Sequence, residues 1–322
     1  MDNKQLSVSF RPFRYSTFRF THVNYIMVLL LLPAFIHGVT LYGGFAVRVV
    51  TLSIVFCMVA DVVFEKLFGH VSRFYDGSTV LTGMLIGMLL PPLTPWWILL
   101  FTSVSAMFLG KQLFGGAGGS PFNAVCIAWA VVMISWPDLI NPTYGSVSFD
   151  LPFSTTYPLA EVRRLGADAL ENFPVKSLFM GKQAGCIGTG SPVLLLAGGI
   201  VGMLLGIIPW IIPVSFIGAL LLSAIVASTF GLSEAGWQFH LVTGFSMIGV
   251  FFLAADMSSR PVSYKVMLWY GAAAGMLTMA FRLWSAFPEG LPFALLIVNS
   301  TIPLLDRGTS PKIVPQPEVY RL

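Results

Sequence analysis

Apolar residues along this chain fall into long, nearly continuous runs, not into the strict alternation of half-buried strands or the one-sided stripe of soluble helices. Divided at polar residues, glycines and prolines, the runs predict ten helices, at 24–43, 46–67, 78–92, 95–112, 122–137, 193–208, 212–230, 239–256, 265–283 and 291–306. Nearly all approach the ~20 residues that a helix needs to cross a bilayer. A polar stretch, Asp138–Ser191, separates five helices from five. Two short passages echo one another across it. Leu81–Pro92 reads LTGMLIGMLLPP and Val242–Ala255 reads VTGFSMIGVFFLAA, and each is followed by a Gly-x-Pro-Phe step, at Gly119–Phe122 and Gly290–Phe293. The pattern predicts an all-α integral membrane protein with ten transmembrane helices in two pseudo-symmetric five-helix halves. Residues 1–137 would form a basic tail and the first half, 138–191 a loop, 192–306 the second half and 307–322 a tail.

Composition supports this and closes off other classes. The chain is 56% hydrophobic and only 10% charged, where soluble chains carry about 25%. Its net charge of +4 is spread over loops, so it points to orientation in a membrane and not to nucleic acid. With the N-terminus cytoplasmic, twelve Lys and Arg face inward and six outward, which places 138–191 outside, in the periplasm of a bacterium. The first 22 residues are polar, basic and aromatic, so no cleavable signal peptide is expected. Three scattered cysteines suit neither a disulfide framework nor a metal site. Paired carboxylates, a nucleophile elbow and an HExxH motif are all missing from the sequence, which argues against a self-contained hydrolase.

Candidate chemistry gathers at the echoing passages and in the loop. The third predicted helix stops at Pro91-Pro92, and so short a span leaves carbonyls at membrane depth that need protein, water or a ligand beside them. Asp61 and Asp256 are candidates for an ion pathway, although snorkelling to the interface would also explain such acids near helix ends. In the loop, the hydroxyls of Phe153–Leu159 are open to modification or to ordinary turn capping. Gly181–Ser191 is either an anion-binding glycine loop or a flexible helix entry, with Ser191 as N-cap and Pro192 as first helical residue.

Ser78–Trp97 (STVLTGMLIGMLLPPLTPWW) and Lys111–Phe122 (KQLFGGAGGSPF), with Val242–Asp256 and Pro288–Asp306, closely resemble the RnfD/NqrB family, and RnfD more than NqrB. The resemblance runs from about residue 20 to 307. It implies the RnfD-type membrane flavoprotein of a bacterial inner-membrane Rnf complex, which couples electron transfer between ferredoxin and NAD to Na⁺ or H⁺ movement. Its partners would be the other Rnf-type subunits (A, B, C, E and G) and the bilayer, and it would not be active alone. The family carries FMN joined through its phosphate to a threonine in an outward loop, in a pattern close to S-x-A-T-P-L, and can hold a second, non-covalent flavin such as riboflavin. That pattern falls on Ser154–Leu159, where Tyr157 occupies the acceptor position and Thr156 stands in place of Ala. The acceptor implied here is Thr156, with Thr155 as the alternative and Ser154 beside them. The family's G-x-I-G-E-T-S loop matches Gly185–Ser191 and brings in Gly188, Thr189 and Ser191, with Thr189 replacing Glu and Gly190 replacing Thr. Its S-G-A-T segment appears as Thr243-Gly244-Phe245-Ser246, echoed by Thr82-Gly83. A cofactor-poor scaffold or a solute transporter on the same duplicated fold are the rival readings.

Overall fold

The computed structural model describes residues 20–69, 76–116, 119–141 and 149–309. Most of the charged tails used above to orient the chain, and Arg73, lie outside the described residues. Within them the protein is all-helical, with no strand. Its main helices are α1 (Phe20–Tyr42), α2 (Gly44–Phe68), α3 (Ser78–Leu89), α4 (Trp96–Gly110), α5 (Ala124–Ser135), α6 (Pro158–Leu165), α7 (Pro192–Leu204), α8 (Ile211–Thr229), α9 (Trp237–Val242), α10 (Tyr264–Trp284) and α11 (Leu291–Thr309). Among the described residues five segments are long and apolar enough to cross a membrane: α1, α2, α4 with its extension to Phe114, α8 and α10. Helices α3, α5, α7 and α11 are apolar but shorter over their apolar part. The chain is a multi-pass membrane protein.

Three predicted spans differ from expectation, the sixth ending at Leu204 instead of residue 208. The third stops at Leu89, not at residue 92, because Leu90 precedes Pro91 and is pushed into extended conformation (φ −101°, ψ 152°). The eighth, predicted as one helix over 239–256, is broken. Helix α9 ends at Val242, Gly244 takes φ +68°, a single turn covers Ser246–Ile248, and a wide π turn covers Gly249–Leu253. Irregular backbone at this depth survives only where protein satisfies it, and π turns recur at functional positions.

The helices pair in a repeating way. Helix α2 packs on α4 as α8 packs on α10, and α4 meets α5 as α10 meets α11. Contacts of α1 with α7 and of α5 with α11 join the two sets. Lipid offers no hydrophobic drive between helices, so close contact through small residues matters more. A Cβ on Gly83 would lie 2.6 Å from Ile54 Cα, and one on Gly87 2.7 Å from Val50 Cα, so α3 rests directly on the α2 backbone. Helix α1 links the two ends of the bundle across ~35 Å. Near its start Asn24 donates to Asp76 O (2.9 Å), and at its end the Tyr42 hydroxyl donates to Gly185 O (3.0 Å) and accepts from Gly185 N–H (3.1 Å).

The stretch after α5 is a folded cap. Tyr157, Leu159, Phe173 and Leu178 form a small core of their own, into which Phe239 of α9 inserts.

Candidate functional site

The broken spans leave carbonyls without helical partners, and named donors meet them. Gly188 N–H donates to Met88 O at 2.7 Å and Ile187 N–H to Leu90 O at 3.3 Å, closing the end of α3. Gln183 Nε2 donates to Val242 O (3.2 Å) and Thr189 O (3.0 Å). Asn123 caps α5 through Oδ1, and its Nδ2 donates to Leu253 O (3.0 Å) at the end of the π turn. The loop 181–191 is therefore largely buried and its Gly188 amide serves the protein, so the flexible-entry reading does not hold. Thr189 is buried and donates to Cys186 O (3.0 Å). Ser191 does precede Pro192 at the start of α7, but its side chain makes no capping bond and its buried Oγ has no partner.

One polar cluster surrounds Asp61, near the start of α1. Lys111, just past α4, donates from Nζ to Asp61 Oδ2 at 2.6 Å, to Thr79 Oγ1 at 3.0 Å and to Ser78 Oγ at 3.2 Å. Thr79 Oγ1 also donates to Asp61 Oδ2 (2.5 Å), and Gln112 Nε2 to Oδ1 (2.7 Å). Asp61 is 2% exposed, so burial with full pairing replaces the snorkelling that its position near a helix end suggested. Thr82 turns its hydroxyl to Ser78 O (2.9 Å) on the same helix, and Gly83 faces α2.

Beside this cluster Thr82, Lys111, Asn123 and Asp256 line a small chamber of about 40 Å³. That is room for a few waters at most, by the ~10–15 Å³ each requires. Ser259 Oγ donates to Asp256 Oδ2 at 3.4 Å.

The second cluster lies at the opposite end of α1, under the cap. Arg282, in the last turn of α10, donates to His240 O, to Thr243 O (2.9 Å) and to Ser246 Oγ (2.8 Å), holding the break in the eighth span. Thr243 Oγ1 turns back to Phe239 O (2.7 Å). Glu289 accepts Phe245 N–H at 3.0 Å. Gly244 lies between the two side chains: a Cβ there would sit 2.5 Å from Glu289 Oε1 and 3.0 Å from Arg282 Nη2. Its left-handed backbone and this confinement together require glycine. Hydropathy and residue type alone single out neither Arg282 nor Glu289. A signal was present, since Lys111 and Arg282 each stand eight residues before the glycine of a Gly-x-Pro-Phe step.

Two larger cavities, of about 380 and 370 Å³, flank α6, and Arg163 lines both. The first reaches His240 and Arg282. The second is bounded by Trp129, Met133, Phe287, Arg164 and Glu289. Just before α6, Ser154 and Thr156 share a hydrogen bond of 2.8 Å at the surface, with Thr155 half-buried between them. Tyr157 is 2% exposed, its ring in the cap core and its hydroxyl unpartnered. The structure thus gathers Thr243, Gly244 and the residues before α6 toward the cap, Gly188, Thr189 and Ser191 under it, and Thr82, Gly83, Asp61 and Asp256 toward the other end.

An all-helical, multi-pass membrane protein with one short and one broken span, each hydrogen-bonded by a buried basic residue, defines the class. The chain belongs to the NQR2, RnfD, RnfE family, whose sequence pattern matches residues 7–315. It is 33% identical over 298 residues to the D subunit of the proton-translocating ferredoxin:NAD(+) oxidoreductase complex of Clostridium ljungdahlii, covering 90% of each chain. With the D subunit of the Na(+)-translocating ferredoxin:NAD(+) oxidoreductase complex of Acetobacterium woodii it shares 32% over 315 residues, covering 97% of this chain and 96% of that one. The D subunit of the ion-translocating oxidoreductase complex of Escherichia fergusonii is 30% identical over 346 residues, covering 94% and 98%.

Proposed function

We infer that this chain is the RnfD-type membrane subunit of an Rnf-type complex in a bacterial inner membrane, relaying electrons between ferredoxin and NAD with coupled Na⁺ or H⁺ translocation. The near full-length match to the D subunits of such complexes carries the reading. Other Rnf-type subunits are its partners. Two five-helix halves, with the cap outside and the N-terminus cytoplasmic, are supported by the repeated helix pairing, by Lys111 and Arg282 at matching offsets, and by their positions at opposite ends of α1. Co-purification of the other subunits with a tagged chain, and loss of ferredoxin-driven NAD reduction when its gene is deleted, test the assignment.

The cofactor proposed is FMN, esterified through its phosphate to Thr156. The residues present fit it. Thr156 offers a half-exposed hydroxyl, Arg163 and Arg164 supply cations for a phosphate, and Trp129 and Phe287 wall a cavity of flavin size. The buried Trp129 Nε1 and Glu289 Oε1 both lack partners there. Bound flavin would supply one- and two-electron chemistry, and the chain's own residues position it and exclude water. Thr155 is the neighbouring alternative. Tyr157 is an unsuitable acceptor because its hydroxyl is turned into the cap core. A second, non-covalent flavin such as riboflavin is proposed for the other cavity that Arg163 lines, of about 380 Å³.

Thr156→Val is expected to abolish ultraviolet fluorescence of the denatured band while leaving yield unchanged; fluorescence that persists rejects this acceptor. For the ion, Asp256 is the stronger of the two candidates, since it borders a chamber while Asp61 is closed by Lys111. Asp256→Asn should weaken ion-dependent turnover several-fold with assembly intact, and unaltered ion dependence removes it from the pathway.

A further inference from the structure

Glu289 occupies the turn between α10 and α11 and is 2% exposed. Its Oε2 has one bond, from Phe245 N–H, and its Oε1 has none. The charged and titratable groups around it come from four directions. Arg282 rises from α10, and His240 lies behind it on α9, its carbonyl held by that arginine. Arg163 and Arg164 of α6 line the same 370 Å³ cavity as Glu289, and so does Asp138, just after α5. Arg164 is engaged with Glu161 at 3.3 Å.

Arg282 and Glu289 both come within 3.0 Å of one point beside Gly244, yet no ion pair forms between them. The guanidinium donates instead to His240 O, Thr243 O and Ser246 Oγ, and its Nε is unused. A buried carboxylate with a single N–H donor is strongly disfavoured against its neutral acid, which needs no counter-charge.

We propose that Glu289 is a proton-binding site opening on the cap-side cavity, and that its proton decides how Arg282 is shared between Glu289 and the carbonyls of the broken span. With the proton on Oε1, the acid is neutral and Arg282 stays on His240 O and Thr243 O, as in this structure. Release of the proton to cavity water leaves a carboxylate that competes for the guanidinium within side-chain reach, and the His240–Ser246 break loosens. Burial holds the carboxyl at about 8, with the Phe245 N–H bond drawing it back. The site exists whether or not a flavin fills the cavity.

The test is infrared titration of the full chain, labelled with ¹³C-glutamate and reconstituted in lipid vesicles, between about pH 6 and about pH 10, which bracket a carboxyl displaced this far from its usual range. The expected result is a protonated glutamate carboxyl band that disappears with a midpoint near 8 and is missing from Glu289→Gln. A wild-type chain with no glutamate titrating in that interval, or a titrating band that persists in Glu289→Gln, overturns the proposal. Should that variant not fold, Arg163→Gln, at an exposed position on the cavity, supplies the second measurement. Removing a nearby cation should move the midpoint upward, and an unmoved midpoint places the titrating glutamate elsewhere.

Discussion

Lys111 and Arg282 stand at the same distance from matching Gly-x-Pro-Phe steps, and each reaches back onto the Thr-Gly end of a short or broken span. They neutralise their burial differently. Lys111 meets a carboxylate, Asp61, inside a ring of Thr79, Ser78 and Gln112. Arg282 meets carbonyl oxygens and a hydroxyl, while the nearest acid, Glu289, stays unpaired across Gly244. A paired ion has one stable arrangement. A guanidinium bound to neutral oxygens beside an acid has two, depending on whether the acid is charged. The same repeat position therefore serves as a lock at one end of α1 and as a movable clasp at the other.

The largest expected effect breaks the lock. Asp61→Ala leaves Lys111 buried without a counter-charge, and loss of one partner from a buried pair costs about 3–5 kcal/mol. Thermal unfolding in detergent should show the largest fall in melting temperature among these variants. Asp61→Asn, which keeps the shape and some hydrogen bonds, should retain more protein, and the difference between the two isolates shape from charge.

Next come the two glycines of the comparison. Gly244→Ala combines left-handed backbone strain, about 1–3 kcal/mol, with collision against Glu289 and Arg282. Gly83→Ala has ordinary helical backbone, and its Cβ meets the α2 backbone at Ile54 and Ser53 O, an overpacking cost of about 1–3 kcal/mol. The first should lower the melting temperature more than the second. Equal values would mean that the Gly244 turn relaxes freely and that the clasp is not confined.

The last contrast is a pH slope, at most about 1.4 kcal/mol for each pH unit. Burial raises the Glu289 carboxyl from 4.5 to about 8 in the folded protein, so the folded state keeps a proton that the unfolded state has lost. Its contribution is complete below 4.5, declines as pH rises, and levels off above about 8. Stability measured across that window should fall with pH in the parent chain and flatten in Glu289→Gln. An Asp61→Asn background should leave the slope itself unchanged, because Asp61 sits at the other end of α1.

Much of the scaffold was legible in the residues. Continuous apolar runs, interrupted by Pro91-Pro92, Gly43-Gly44 and Gly69, locate the helices because membrane spans need little beyond length and hydropathy. Gly83 and Gly87 announce a close helix crossing for the same kind of local reason. The break at Thr243–Phe245 was hidden, since only Gly244 marks it and one glycine in an apolar helix is common. The role of the loop around Gly188 was equally hidden, because an anion and a helix carbonyl are both reached by glycine N–H or its neighbours and the string GTGS does not distinguish them.

Sequence alone determined that this chain lies in a membrane, that two of its passages echo one another, and that its motifs are those of one family, because hydropathy, spacing and residue identity are properties of the string. Tertiary structure alone decided that Gly188 and Asn123 close the interrupted spans, that Asp61 is matched by Lys111, and that Arg282 and Glu289 face one another unpaired. Those outcomes join residues up to 130 positions apart. In a low-dielectric interior the worth of a polar group depends on which partner reaches it within about 3 Å, and only the folded chain brings such partners together.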